Sequence, residues 1–91
     1  MSKEKPIMCK ALEHYDTNKL IDGLTEKAKI LSKTLKSKSE LRDREEIARL
    51  MAELTVLLEM LAIEYRIEEL TNYWHLIVLS LIAKETGYGK H

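Results

Sequence analysis

Phenylalanine is absent from this chain of 91 residues, tryptophan, cysteine and proline occur once each, and glycine only three times. Each scarcity excludes something. The lone Cys9 rules out a disulfide within the chain and suits a reducing, cytoplasmic compartment. Two of the three glycines fall in the last five residues, so the tight turns that join β-strands have almost no chemistry to support them. Without phenylalanine, a core must come mainly from leucine, isoleucine and methionine. Net charge is lacking too: fifteen basic residues cancel fifteen acidic ones, which leaves no field to draw in nucleic acid or an anionic membrane surface. The longest apolar run, Leu76 to Ala83, is interrupted by Ser80 and is far short of the roughly 20 residues that span a bilayer. Met1 to Pro6 has no apolar run behind its charges and so does not read as a secretory signal. Nor is there a glycine-rich phosphate loop, a serine nucleophile motif or a CxxC pair, and no catalytic residue is assigned.

What remains is helix-forming sequence with amphipathic spacing. Residues 1–8 are polar, contain the only proline and are expected to be a flexible lead-in; residues 9–86 form one helical domain, and residues 87–91 a flexible tail. A short helical turn is expected over Cys9 to Tyr15. Asp16, Thr17 and Asn18 then offer side-chain oxygens for the free amides of a helix start. Leu20, Leu24, Ala28, Leu31 and Leu35 recur at three- and four-residue intervals, predicting one helix to about Lys36, with Ile21 widening its stripe. After a polar break at Lys36 to Ser39, Asp43 and Glu46 read as a capping box. The helix that follows carries Ile47, Leu50, Met51, Leu54, Leu57, Leu58 and Leu61. A last helix is expected from about Glu68 to Lys84, with Gly87 and Gly89 just past its end. The fold class is therefore all-α, a bundle of three to four helices.

The last helix is apolar nearly all round, with Trp74, Ile77, Val78, Leu81 and Ile82 as candidate interface residues. A helix apolar on every side must be covered on every side. It is either the central helix of a monomer or shared with another subunit, and in so short a chain burial favours a homo-oligomer, a dimer or tetramer.

Carboxylates are the only plentiful candidates for chemistry. Asp22 and Glu26 are four apart on one helix, while Glu46 and Glu53 are seven apart on the next, so each pair shares a face. Facing each other, the pairs could hold Mg²⁺. Alternatively they are solvated outer-face charges, with Glu53 a rim residue beside the apolar stripe. His14, His75 and His91 have no ligand spacing, and Tyr65, Tyr73 and Trp74 suit a core or a stacked base.

Taken in order, Ala11 to Tyr15, Lys19 to Leu35 with Leu31-Ser32-Lys33, Asp43 to Ala48, Leu57 to Leu61 and Ile63 to Ile67 resemble the short MazG-like proteins of phages and prophages, over about residues 11–70. That resemblance implies an all-α nucleotide pyrophosphohydrolase fold. The family carries an EExxE motif on one helix and ExxD on the next, which together bind Mg²⁺ and a nucleotide triphosphate. Here the motifs fall on Asp22-Gly23-Leu24-Thr25-Glu26 and Leu50-Met51-Ala52-Glu53. Asp22, Glu26 and Glu53 match in charge, whereas Gly23 and Leu50 offer no side-chain oxygen; Glu46 is the candidate replacement for Leu50. The expectation is a MazG-like protein with a degenerate metal site, nucleotide binding, and weak or lost hydrolysis. The alternative is an interaction module or inhibitor that docks a host protein through its apolar helical surface.

Overall fold

Side chains recurring every three or four residues do coil the chain where that spacing is kept. The computed structural model describes residues 4–37 and 44–87. Within them lie four helices, α1 (Glu4–Leu12), α2 (Thr17–Lys36), α3 (Arg44–Glu64) and α4 (Glu68–Thr86), and no strand. The architecture is all-α, as the sequence implies.

The N-terminal expectation needs correction. The supposed lead-in is already helical from Glu4, and α1 ends at Leu12 instead of continuing to Tyr15. Pro6 does not prevent this, because it sits in the first turn, where backbone N–H groups have no intrahelical acceptor to lose. The start of α2 also differs in detail. Asp16 is its N-cap residue, but its side chain makes no capping hydrogen bond; the Thr17 hydroxyl instead donates to Glu64 Oε2 at 3.3 Å. Asp43, Gly89 and His91, and most of the expected 87–91 tail, lie outside the described residues.

Helices α2 and α3 form an antiparallel hairpin, which supplies most of the contacts between elements. Its direction is fixed by three approaches in which the position rises on α2 as it falls on α3. Thr17 meets Glu64, Gly23 faces Leu57, and Lys27 reaches Glu53. Among the described residues the core is small: Leu20, Leu50 and Met60 are its buried hydrophobic side chains. The inward stripe of α2 is rotated from its expected position. Gly23, Leu24, Lys27, Leu31 and Thr34 are half-buried, while Ala28, Leu35 and Ile21 are exposed. Glycine at position 23 and the long stem of Lys27 occupy the face against α3, which turns Ala28 outward. On α3, Met51 and Leu58 are likewise exposed, and the buried place goes to Met60.

A β-carbon added at Gly23 would meet Leu57 Cδ1 at 3.9 Å, an ordinary van der Waals contact. Glycine within a helix costs about 1 kcal/mol relative to alanine. Gly23→Ala is therefore expected to stabilise the hairpin by up to about 1 kcal/mol, read as a higher urea midpoint at unchanged slope. A lower midpoint would show that the two helices pack closer than this geometry allows.

The α3–α4 junction is a Schellman turn. Ile67 N–H donates to the Ala62 carbonyl and Arg66 N–H to that of Ile63, at 2.9 and 3.0 Å, with Arg66 in the left-handed region at φ 58°. Helix α4 leaves this turn with Glu68 and Glu69 in its first turn, favourable beside the positive end of the helix dipole. It ends at Gly87, φ 74°, whose N–H caps the Ala83 and Lys84 carbonyls, as the sequence suggests. No helix among the described residues is long and apolar enough to cross a membrane.

Candidate functional site

Two regions hold the sequence-predicted residues, a charged cluster across the α2–α3 hairpin and the apolar surface of α4. In the first, α3 places Glu46, Arg49 and Glu53 on one face by their three- and four-residue spacing. Arg49 donates from Nη2 to Glu46 Oε1 at 2.6 Å and from Nη1 to Glu53 Oε2 at 3.4 Å. These carboxylates, Glu46 first, hold the Arg49 guanidinium above its usual pKa. From α2, Lys27 Nζ comes within 3.2 Å of Glu53 Oε1. That approach is attractive but not aligned as a hydrogen bond, and Glu53 Oε1, shielded from solvent, has no hydrogen-bond donor.

The cluster thus joins two cations to two carboxylates with no net charge. Asp22 and Glu26 lie on the exposed side of α2. No three Asp, Glu, His or Cys side chains gather closely enough to hold a metal ion among the described residues. As arranged, the four candidate Mg²⁺ ligands do not converge: Glu46 and Glu53 are engaged by Arg49 and Lys27, and Asp22 and Glu26 face solvent. Across the hairpin, Lys27 and Glu53 pair α2 with α3 at this level. Helical spacing placed Glu46 and Glu53 on one face in the sequence. It did not single out Arg49 between them, and Lys27 was hidden because its partner depends on how the hairpin closes.

The second region is larger. Trp74 is 53% exposed and Leu76 65%, and Val78, Leu79, Leu81 and Ile82 are exposed as well; Ile77 is only half-covered. Tyr73 and Trp74 meet edge to face, their ring centroids 6.1 Å apart. None of α4's residues is buried, and its contacts with α3 are few.

Beside α1 run two clefts that the sequence did not signal. One, of about 350 Å³, lies between α1, α3 and the start of α4, and is lined by Met8, Leu58, Ala62, Ile63 and Thr71 among others. The second, of about 480 Å³, continues along α1 and α3 past Ile7, Ala52, Thr55 and Val56. Both share Glu4, Met8 and Glu59. An ion pair at 3.0 Å between Lys5 and Glu68 ties α1 to the start of α4. The hydrogen bond and charge of Glu68 hold the Lys5 amine above its usual pKa.

Known proteins add nothing to this picture. Family models, curated proteins and solved structures yield no match to the chain. Function must therefore be read from the surface itself, where α4 exposes Tyr73, Trp74, Leu76, Val78, Leu79, Leu81 and Ile82.

Proposed function

We propose that this chain is a cytoplasmic, self-associating helical protein that works by binding other macromolecules, not by catalysing a reaction. One observation carries the reading: α4 has an apolar girdle of which Trp74, Leu76, Val78, Leu79, Leu81 and Ile82 stand exposed. A run of exposed apolar side chains along one helix supports an oligomeric interface, because contiguous apolar patches on monomers seldom exceed a few hundred Å². In the assembly, Trp74, Ile77, Val78, Leu81 and Ile82 are the contact residues. Sedimentation equilibrium at micromolar concentration is expected to give a dimer or tetramer. A folded monomer at that concentration would remove the self-association, and the reading with it.

A second reading rests on Glu53 Oε1, a shielded carboxylate oxygen without a donor, placed where the MazG resemblance puts a metal ligand. On that reading Lys27 gives way, Glu53 binds Mg²⁺ together with Asp22, Glu26 and Glu46, and the ion brings a nucleoside triphosphate, with hydrolysis weak or lost. Calorimetric titration with Mg²⁺ and nucleoside triphosphates tests it. Heat of binding that disappears in Glu53→Gln supports the site, and no heat with any nucleotide ends it.

A further inference from the structure

The cleft between α1, α3 and the start of α4 combines an apolar lining with a surplus of one charge. The apolar part comes from Met8 of α1 and from Leu58, Ala62 and Ile63 of α3. Its volume, about 350 Å³, lies within the range of small-molecule sites, about 300–1,000 Å³. Four charged side chains line it, the carboxylates of Glu4, Glu59 and Glu68 and the ammonium of Lys5. Lys5 is already engaged, with its Nζ 3.0 Å from Glu68 Oε1. Glu4 and Glu59 have neither an ion pair nor a hydrogen bond among the described residues. The cleft therefore carries two uncompensated carboxylates in a chain whose formal net charge is zero. On the α4 side the Thr71 hydroxyl adds a further acceptor, because its proton is given to the Ile67 carbonyl at 2.8 Å.

We propose that this cleft binds a small organic cation, a protonated primary amine carried on an apolar body. Each part of such a ligand has a counterpart in the lining. The body is matched by Met8, Leu58, Ala62 and Ile63. The ammonium, with three donors and no acceptor, is matched by the oxygens of Glu4, Glu59 and Thr71. An anion is repelled by the same carboxylates, and a neutral apolar molecule leaves them without a partner. Hydrogen bonds to an ionised group are roughly twice as strong as neutral ones, which makes the amine the preferred head group. A bound amine also ties α1, which buries no residue of its own, to α3 and α4. Self-association through α4 neither requires this site nor supplies it, so the two proposals stand or fall separately.

Titration of the full chain with octylamine, followed by the chemical shifts of its backbone amides, tests the site. Two further probes share the alkyl body: octanol, which is uncharged, and octanoate, which carries the opposite charge. The amine is expected to shift the amides of Met8, Ala62 and Asn72 and to bind at least about tenfold more tightly than the alcohol, with octanoate weaker still. In Glu4→Gln/Glu59→Gln, which keeps the shape of the lining, the amine should lose that advantage while helix content and sedimentation stay as in the wild type. Equal affinity for amine and alcohol would show that the cleft recognises apolar surface alone and would overturn the proposal. An amine preference that survives in the double variant would overturn it too, as would shifts centred on Trp74 and Leu81, because the probe would then sit on α4. No shift with any probe at millimolar concentration also ends it. Monomers in sedimentation, alongside an amine preference that the double variant loses, would remove the self-association and leave this site in place.

Discussion

Leu50→Ala is expected to cost this protein about half of its stability or more, read as a urea midpoint lowered in proportion. Among the described residues Leu50 is one of three buried hydrophobic side chains, and it sits at 3% exposure in the α2–α3 hairpin. Truncating a buried leucine to alanine costs 2 to 5 kcal/mol, a transfer loss plus the cavity left behind. A domain of this length has roughly 5–14 kcal/mol of stability to begin with, and three buried side chains place this one towards the low end. The expected loss is about 3 kcal/mol, seen in urea denaturation followed by far-ultraviolet circular dichroism. The comparison variant is Leu35→Ala, 52% exposed near the end of α2, which should change stability by no more than about 0.5 kcal/mol. Equal effects of the two would mean that the hairpin is not where the stability resides.

The other large effect belongs to α4. In a solitary chain Leu81 is a surface residue at 56% exposure, and replacing a surface residue by a charged one normally changes stability by about 0.5 kcal/mol or less. In an assembly the same carboxylate would be carried into an apolar contact, where an uncompensated charge is very costly. Leu81→Asp is therefore expected to weaken association at least about a hundredfold, close to 3 kcal/mol. It should also abolish the dependence of the unfolding midpoint on protein concentration, which linkage requires of the associating wild type. The hairpin should keep its helical dichroism. Identical sedimentation and identical midpoints for variant and wild type would show that this surface of α4 is solvated in solution.

The sequence made these expectations possible to different degrees. Helices α2, α3 and α4 were legible because their apolar residues keep helical spacing, and Ser37 and Gly87 end two of them where the pattern does. The start of α1 was not, because Pro6 and a run of charges suggest irregular chain, whereas a first turn tolerates both. Which side of α2 faces inward was also hidden. Gly23 and Lys27 occupy that face, and neither registers as apolar in a helical wheel. Met60 escaped notice for a related reason: several leucines on α3 compete for the same stripe, and only the close approach of α1 and α2 decides among them. In the candidate metal cluster, spacing placed Glu46 with Glu53, but nothing in a linear pattern reveals that Arg49 and Lys27 neutralise them. The clefts beside α1 depend on an element that the sequence did not announce.

The left-handed turn at Arg66, closed by two backbone hydrogen bonds, sets the bearing of the last helix from within the chain, before anything docks against it. The protruding rod is thus a pre-aimed handle and not a loose arm. The orientational freedom that docking would otherwise remove has already been given up during folding, so more of the contact energy remains as affinity.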